Sequence, residues 1–319
     1  MKILITEPIQ ESGIRVLTDR GFDVRIAEDS TETTLIREVQ DASALLVRLA
    51  EIPAAVIESG RLLKAISRHG VGYDKIDVAA ATRRKIPVCI TMHANAQSVA
   101  EHVIAMMLAL AKQIIPYDLA VRTDHWMVRN SYGVIDLEGK VLGIIGMGRT
   151  GSLVCQKAKA AFGMEVLVYS PRQSREAIEK TGGKKVSHLH EILTASDFIS
   201  LHTPLTSETQ AMIGTSELHL MKRSAFLINC ARGPIVSETD LFRALKDGVI
   251  AGAGLDVFAM EPPPGNSPLF ELPNIVLSPH SAALTAECVM RMATQAAQAI
   301  VDILEGRIPE GIINPEVLI

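Results

Sequence analysis

Residues 139–170 constrain the fold of this chain more than any other segment. A short apolar run rich in β-branched residues, 141–145, precedes Gly146, Gly148 and Gly151 in the pattern G-x-G-x-x-G. Residues 152–162 then carry the small and apolar side chains of a packed helix, and 166–169 form a second apolar run. A strand, a glycine-rich turn, a helix and a strand within about 30 residues predict a dinucleotide-binding unit.

The glycines of this turn have distinct physical tasks. They allow a tight bend, the close approach of the backbone to a pyrophosphate, and tight packing of the helix on the strand. The first turn of the helix offers free N–H groups and a partial positive charge to the same anion. The residues expected to contact the cofactor here are Gly146, Gly148, Arg149, Thr150 and Gly151.

Strand and helix patterns alternate along the chain on both sides of this unit. Such alternation is typical of α/β proteins, in which helices cover both faces of a parallel sheet. We predict two doubly wound parallel-sheet domains of the Rossmann or flavodoxin-like kind, with the nucleotide-binding domain inserted into the other. Residues 1–95 and 284–319 are expected to form a substrate-binding domain, and residues 96–283 the dinucleotide-binding domain.

Composition excludes several classes of function. Apolar residues make up 48% of the chain and charged residues 21%, as in a soluble globular protein. The net charge of −4 gives no general attraction to nucleic acid or to an anionic membrane. We see no apolar run of the roughly 18 residues that a membrane span needs. The four cysteines lie far apart, which favours reduced thiols in the cytoplasm, and we predict no metal site.

Three residues that can carry chemistry follow predicted strands downstream of the glycine turn: Arg232 in N-C-A-R-G-P, Glu261 in F-A-M-E-P-P and His280 in L-S-P-H-S. Ligands of open α/β sheets bind at the carboxyl ends of the strands, so the three side chains can converge on one site. Arginine can hold a carboxylate and polarise a ketone. Histidine can exchange a proton near neutral pH, and a carboxylate beside it favours the imidazolium and orients the ring. Hydride transfer to a 2-keto acid needs such a set.

Over essentially its whole length the chain resembles the D-isomer-specific 2-hydroxyacid dehydrogenases. The matching segments are H-G-V-G-Y-D-K-I-D (69–77), N-A-Q-S-V-A-E-H (95–102), L-E-G-K-V-L-G-I-I-G-M-G-R-T-G (137–151), L-H-T-P-L-T-S-E-T (201–209), M-K-R-S-A-F-L-I-N-C-A-R-G (221–233), A-G-A-G-L-D-V-F-A-M-E-P (251–262) and L-S-P-H (277–280). The resemblance implies that Arg232 binds the carboxylate and keto oxygen of the substrate. His280 would be the acid in reduction and the base in oxidation, with Glu261 as its partner.

The resemblance also implies further contacts and an oligomeric state. The backbone N–H groups of Val71 and Gly72 would complete the carboxylate site, and Asn95 would face it. The expected cofactor contacts are Asp256 on the nicotinamide carboxamide, Cys230 and Ala231 on the nicotinamide side, and His202, Thr203, Pro204 and Thr209 on the adenosine side. A homodimer would form through the helix after Asn95 and the arm around Trp126.

The chain departs from the family pattern after the second strand of the nucleotide-binding unit. NAD-dependent members usually have an aspartate there that takes the ribose hydroxyls, whereas this chain has Ser170, followed by Arg172 and Arg175. Removing the carboxylate relieves repulsion of a 2′-phosphate, and an arginine can pair with that phosphate. We therefore expect NADP in preference to NAD. The alternative is that Ser170 only loosens NAD binding and that the arginines are solvated.

A second departure is His93 in T-M-H-A-N, where the family has a proline or small residues. This histidine is either a second cation in the substrate pocket or a structural residue of the loop.

Arg48, at the end of a buried strand, bears on the substrate. Phosphoglycerate dehydrogenases of the family have an arginine near the substrate phosphate at this place. That keeps 3-phosphoglycerate, or another doubly anionic acid such as sulfolactate, as an alternative, unless Arg48 is a plain surface arginine. We expect no C-terminal regulatory extension of the kind that many such enzymes have, and our first choice is the reduction of glyoxylate or hydroxypyruvate.

A different functional class shares the family fold. Dinucleotide-sensing interaction modules, such as the C-terminal-binding-protein corepressors, use it as a binding unit, and fold alone does not settle function. The presence of Arg232, Glu261 and His280 favours the enzyme.

Overall fold

The computed structural model describes residues 1–131 and 133–318. Its strands are β1 (Lys2–Ile5), β2 (Asp23–Ile26), β3 (Ala42–Val47), β4 (Ala65–Arg68), β5 (Val88–Ile90), β6 (Val141–Ile145), β7 (Glu165–Tyr169), β8 (Lys184–Val186), β9 (Phe198–Leu201), β10 (Phe226–Asn229), β11 (Gly252–Leu255) and β12 (Ile275–Leu277). Its α-helices are α1 (Glu11–Thr18), α2 (Glu32–Glu38), α3 (Ala54–Ser59), α4 (Val78–Arg83), α5 (Ala96–Ala111), α6 (Ile114–Arg122), α7 (Arg149–Phe162), α8 (Arg175–Glu179), α9 (Leu189–Ala195), α10 (Thr215–Leu220), α11 (Glu238–Lys246) and α12 (Ala286–Leu304). Short 3₁₀ helices lie at Trp126–Ser131, Gly233–Ile235, Pro268–Glu271 and Pro315–Leu318.

The chain divides into two compact units, which we call unit 1 (residues 1–95 and 283–319) and unit 2 (residues 96–282). Each is built on a parallel sheet, so the α/β fold class predicted from the sequence is confirmed. The sheet of unit 1 has the order β2-β1-β3-β4-β5. Its strand order reverses between β1 and β3, which makes the carboxyl ends of these strands a topological switch point.

Unit 1 buries both faces of its sheet because alternate strand residues point to opposite sides. Ile3 and Ile5 pack in one apolar cluster with residues of α1 and α12, such as Leu17 and Ile300. Leu4 belongs to the opposite cluster, which includes residues of α2, α3 and α4. Such continuous apolar strands are typical of parallel sheets covered on both faces.

Unit 2 has a seven-stranded parallel sheet with the order β12-β11-β10-β9-β6-β7-β8. Residues of α5 and α7, including Val103 and Val154, form an apolar cluster with Ile144 and Ile228 of the sheet. The other face of the sheet packs in a separate cluster with residues of α9, α10 and α11. The strand order reverses between β6 and β9, so the glycine-rich turn after β6 lies at the switch point of this sheet.

The structure contains elements between residues 170 and 225 that the sequence patterns did not predict. They are α8, β8, α9 and α10, which are three to seven residues long. Elements this short complete at most two helical turns, so hydrophobic periodicity gives little signal for them. Residues 116–138, expected to be irregular, include most of α6 and a 3₁₀ helix.

Across residues 1–131 and 133–318, no single helix has both the length and the apolar composition to cross a membrane. Taken together, α5 and α6 pass that test as a pair, but they are bent by 57° at the break between them.

Candidate active site

Three neighbouring strand ends of unit 2 carry the predicted chemical residues. Arg232 follows β10, Glu261 follows β11 and His280 follows β12, and these strands are adjacent in the sheet. The Nδ1 atom of His280 lies 2.7 Å from Oε2 of Glu261. The structure therefore brings the predicted histidine and carboxylate into direct contact, beside the strand end that carries the arginine.

The turn that carries Arg232 is fixed by a buried asparagine. The side chain of Asn229 accepts the N–H of Ala231 at 3.0 Å and donates to the carbonyl of Arg232 at 2.9 Å. A side chain at Gly233 would overlap the main chain of Phe258, so only glycine lets this turn approach the loop after β11. The close contact holds the loop that leads to Glu261 against the loop that carries Arg232.

Glu261 fixes the orientation of the His280 ring. One carboxylate oxygen, Oε1, accepts the N–H of Phe258 at 3.1 Å, and the other contacts His280 Nδ1. A carboxylate only accepts hydrogen bonds, so Nδ1 is the donor and carries a proton. The Nε2 atom of His280 is then the nitrogen that can exchange a proton with a substrate.

His280 lies on a turn whose backbone is in the left-handed region, with a φ of 50°. This conformation is uncommon for residues other than glycine and persists where the surroundings enforce it. The His280 N–H donates to the carbonyl of Asp256 at 2.7 Å. The Asp256 carboxylate accepts the N–H groups of Ser281 at 2.8 Å and Ala282 at 3.0 Å. Asp256 is fully buried and thus anchors the turn that presents His280.

The glycine-rich turn has the geometry that a pyrophosphate needs. A Cβ atom on Gly146 would lie 2.6 Å from the carbonyl oxygen of His202, and one on Gly151 would lie 2.5 Å from the carbonyl oxygen of Gly146. A Cβ on Gly148 would meet no atom of the described residues within 4 Å. Gly148 caps α7 without a side-chain hydrogen bond, and Arg149 and Thr150 form the first turn of that helix. Open space in front of free N–H groups fits a bound phosphate.

The loop after β9 contributes a buried polar atom next to this turn, since a Cβ on Gly146 would lie 2.9 Å from Thr203 Cγ2. Thr203 Oγ1 is buried and has no hydrogen-bond partner among residues 1–131 and 133–318. Removal from solvent lowers the pKa of His202 to about 4, and its Nε2 lies 2.9 Å from Ser200 Oγ. Pro204 is exposed next to them. Buried polar atoms normally have a partner, so Thr203 Oγ1 fits a ligand-binding position.

Thr209, predicted on the adenosine side, makes hydrogen bonds within its own loop. Its hydroxyl donates to the carbonyl of Pro204 at 2.7 Å and accepts the N–H of Thr206 at 2.8 Å. These bonds hold the loop 204–209 together.

The nicotinamide-side candidates lie in the turn of Arg232. Ala231 is half-buried, and the Sγ atom of Cys230 lies 3.7 Å from the sulfur of Met106 on α5. Burial raises the pKa of the Cys230 thiol well above its usual value, with a smaller contribution from Asp256. A protonated thiol is a weak nucleophile.

Ser170 follows β7 and is buried, whereas Arg172 and Arg175 are exposed in the segment behind it. Arg175 lies 3.9 Å from Glu179, one helical turn further along α8. The ammonium group of Lys185 donates to the carbonyl of Gln173 at 2.5 Å and so fixes the loop between the two arginines.

In unit 1 the substrate candidates lie at three strand ends. Arg48 follows β3 at the switch point, where its N–H donates to Thr6 Oγ1 at 3.1 Å and its guanidinium donates to the carbonyl of Pro8 at 3.1 Å. Asn95 is half-buried and directly precedes α5. His93 is exposed, with Nε2 at 3.3 Å from Glu310 Oε2, an ion pair if the ring is protonated.

The loop after β4 is held by Arg68, the last residue of that strand. Arg68 donates to the carbonyl of His69 at 2.5 Å and to the carbonyl of Gly72 at 2.9 Å. The N–H groups of Val71 and Gly72 have no hydrogen-bond partner within the described parts of the chain. Two adjacent unpaired N–H groups fit an anion.

His69 lies in the same loop and is buried. Burial, and secondarily the guanidinium of Arg68, lower its pKa to about 4. Its Nε2 atom has no hydrogen-bond partner among residues 1–131 and 133–318.

No group of three or more His, Cys, Asp or Glu side chains among the described residues could hold a metal ion. The four cysteines are all free thiols.

Sequence reasoning placed Arg68 at a strand end facing the substrate and residues 229–232 on the nicotinamide side, but it missed the supporting tasks of Arg68, His102, Asn229, Gly233 and Ser278. Two of them had a visible signal, since Asn229 ends a strand directly before C-A-R-G and Ser278 lies two residues before His280. Their contacts depend on which groups the fold brings within hydrogen-bond distance, which strand and helix patterns do not show.

A glycine-rich turn at the switch point of a parallel sheet, next to an arginine and a glutamate–histidine pair on adjacent strand ends, defines the class of nucleotide-dependent oxidoreductases. Comparison with known proteins makes this more specific. Residues 104–282 match the model of the D-isomer specific 2-hydroxyacid dehydrogenase NAD binding domain. The chain belongs to the D-isomer specific 2-hydroxyacid dehydrogenase family, as the sequence motifs predicted.

Relatives with different names are similarly close. The chain is 40% identical over 315 residues to the D-3-phosphoglycerate dehydrogenase of Methanocaldococcus jannaschii, covering 98% of this chain but only 59% of that protein. It is 39% identical over 324 residues to the glyoxylate reductase of Korarchaeum cryptofilum, covering 99% of this chain and 97% of the reductase. The crystal structure of the TT0316 protein from Thermus thermophilus matches with a TM-score of 0.89 at 33% identity, covering 98% of this chain and 100% of that one.

Proposed function

We propose that this protein is an NADP-dependent reductase of small 2-keto acids, with glyoxylate or hydroxypyruvate as substrate. The observation that carries the proposal is the 2.7 Å contact between His280 and Glu261 beside the strand end of Arg232. Unit 2 would bind the cofactor and unit 1 the substrate. The similarity to a glyoxylate reductase over nearly the full length of both chains supports this choice.

The residues of the chain have distinct tasks in this reaction. When bound, the cofactor supplies the hydride that converts the keto carbon into a carbinol. Arg232 would hold the substrate carboxylate and stabilise the negative charge that develops on the keto oxygen. His280 would give its Nε2 proton to that oxygen, and Glu261 would stabilise the imidazolium before the transfer. Within unit 1, the N–H groups of Val71 and Gly72 are the donors that we propose for a carboxylate, and Asn95 is a further substrate-binding candidate.

The cofactor preference depends on the segment after β7. Ser170 adds no negative charge, and the exposed Arg172 and Arg175 would be available to pair with a 2′-phosphate. The binding sites for the rest of the cofactor would be the turn from Gly146 to Gly151, including Arg149 and Thr150, and the residues His202, Thr203, Pro204, Thr209, Cys230, Ala231 and Asp256.

A second candidate function is the oxidation of 3-phosphoglycerate or another doubly anionic acid, such as sulfolactate. The position of Arg48 at the switch point of unit 1 favours it, because a cation there could bind a second anionic group. The 40% identity to a phosphoglycerate dehydrogenase is consistent with this alternative. If no acid is turned over, we would instead infer a dinucleotide-sensing module without catalysis.

We also propose a cytoplasmic homodimer. The segment of α6 and the following 3₁₀ helix exposes large apolar side chains, including Leu119 at 60%, Trp126 at 58% and Met127 at 68%. Neighbouring exposed apolar residues mark interaction surfaces, and a second copy would cover them. Light scattering at micromolar concentration should give twice the mass of 34.5 kDa, and a mass of one chain would contradict the dimer.

The deciding experiment is paired steady-state kinetics of NADPH and NADH oxidation with glyoxylate, hydroxypyruvate and 3-phosphohydroxypyruvate. We expect NADPH with the small keto acids to be preferred. R172A should raise the KM for NADPH about tenfold, as expected for the loss of a charged hydrogen bond, and leave the KM for NADH unchanged. Turnover mainly with NADH and the phosphorylated acid would contradict both the cofactor and the substrate assignment.

A further inference from the structure

A polar chain in unit 2 links helix α5 to the turn of His280. Nε2 of His102, on α5, lies 2.9 Å from Ser278 Oγ. Ser278 Oγ lies 2.5 Å from Asp256 Oδ1. The same Asp256 oxygen accepts the Ser281 N–H, and its other oxygen accepts the Ala282 N–H. These hydrogen bonds thus connect helix α5 to residues that precede and follow His280.

The direction of these hydrogen bonds follows from the groups themselves. A carboxylate only accepts, so the single proton of the Ser278 hydroxyl points to Asp256. Ser278 Oγ can then only accept from His102, which requires the proton of His102 on Nε2. One tautomer of His102 therefore completes the chain, and the other would set two acceptors against each other.

The residues of this polar chain are largely buried, and a shift in them would move the turn of His280. Asp256 is fully buried, and the side chain of His102 is 25% exposed. His280 has a left-handed backbone, a conformation that persists where the surroundings enforce it. Asp256 holds the His280 N–H with its main-chain carbonyl and the next two N–H groups with its carboxylate. Without the Ser278 hydroxyl, Oδ1 would lose one of its two donors, and a buried acceptor that loses a partner tends to rearrange.

We propose that His102, acting through Ser278 and Asp256, is a positioning residue that fixes the turn of His280 for proton transfer. This inference rests on the proposed function, in which His280 is the acid. His102 touches neither proton donor nor acceptor of the reaction. Its effect should therefore appear in kcat, which depends on the alignment of His280, and not in the KM for the keto acid.

The test compares two replacements of His102 that are similar in length. In H102Q the amide N–H can still donate to Ser278, whereas H102M has no donor. H102M should lower kcat about tenfold, since misplacement of a reacting group by 1 Å can cost on the order of 100-fold, and H102Q should stay within about threefold of the unchanged protein. S278A should behave like H102M, and H219M on α10 controls for a His-to-Met exchange on an exposed helix.

A double variant separates positioning from general damage. If His102 acts through His280, H102M should slow an H280A protein no further, because the coupled residue is already gone. The solvent deuterium isotope effect on kcat should rise in H102M and not in H102Q, as proton transfer becomes slower. Equal kcat values for H102M and H102Q, or losses that multiply in the double variant, would overturn the proposal.

A readout without substrate distinguishes this failure from failure of the proposed function. Hydrogen exchange of the Ser281 and Ala282 amides should be faster in H102M and S278A than in H102Q and the unchanged protein. This result would support the positioning role even if no keto acid is reduced, which would refute only the proposed function. Unchanged exchange in H102M would overturn the proposal even in an active reductase.

Discussion

The turn of His280 in unit 2 and the loop of Val71 and Gly72 in unit 1 are held by charged side chains of opposite sign. In unit 2 the Asp256 carboxylate accepts the N–H groups of residues 281 and 282. In unit 1 the Arg68 guanidinium donates to the carbonyls of residues 69 and 72. Both loops follow a strand of a parallel sheet.

The sign of the anchor determines what each loop can offer a ligand. The Asp256 carboxylate occupies backbone N–H donors, so the turn after β12, which we call the acid-anchored turn, presents a side chain, the imidazole of His280. The Arg68 guanidinium occupies backbone carbonyl acceptors, so the loop after β4, which we call the base-anchored loop, keeps free N–H groups, which suit an anion. The two loops thus suit the complementary tasks that we propose for them, proton transfer for the turn of His280 and carboxylate binding for the loop of Val71 and Gly72.

The largest expected effect comes from truncating the side chain that the acid-anchored turn presents. H280A should lower kcat by roughly two to four orders of magnitude, the usual range for a lost acid–base group, with little change in the KM for the keto acid. Steady-state kinetics at saturating cofactor check this. Near-normal turnover would show that His280 is not the proton donor, and the proposed difference in task between the two loops would then be wrong.

A smaller loss is expected from the partner of that histidine. E261Q keeps the shape, but the Gln side chain cannot accept both from Phe258 and from His280, since only one of its two terminal atoms is an acceptor. A loss of about 100-fold in kcat is expected, at the low end of the range for acid–base groups. The loss should be greater for reduction of the keto acid, where the imidazolium that Glu261 stabilises must be present. Equal kcat values for E261Q and the unchanged protein would show that Glu261 does not set the tautomer.

The two anchors differ in how far the sequence could predict them. The positions of Arg232, Glu261 and His280 followed from strand patterns, because parallel strands bring their carboxyl ends to one edge. The tasks of Asp256 and Arg68 as anchors did not follow, since each depends on which backbone groups a turn leaves without a partner. The left-handed φ of His280 is equally invisible, because histidine gives no conformational signal comparable to glycine.

Replacing Arg68, which holds the base-anchored loop, should weaken binding of the keto acid and leave the rate of the chemical step nearly unchanged. R68M leaves the carbonyls of His69 and Gly72 without their donor, so the loop can turn its N–H groups away from the substrate. We expect the KM for the keto acid to rise about tenfold, which corresponds to a net hydrogen bond to a charged group of ~1.5 kcal/mol, with kcat within about threefold.

Two further variants bracket this result. R68K has one ammonium group in place of a planar fork and should lie between R68M and the unchanged protein. R61M, at an exposed arginine of the same unit, should leave the KM unchanged. A fall in kcat without a rise in KM for R68M would place Arg68 in the chemical step and contradict its task as an anchor of a binding loop.

The smallest effect is expected from V71A, which truncates a side chain in the base-anchored loop as H280A does in the acid-anchored one. The backbone N–H of residue 71 remains, and Val71 is only half-buried, so little packing is lost. The ratio kcat/KM should change less than about threefold, which is below 1 kcal/mol. The contrast with H280A measures the asymmetry directly: the side chain is essential where an acid consumes the N–H groups and dispensable where a base leaves them free. A loss of tenfold or more in V71A, with an unchanged unfolding midpoint, would mean that the substrate is read by the valine side chain and not by the main chain.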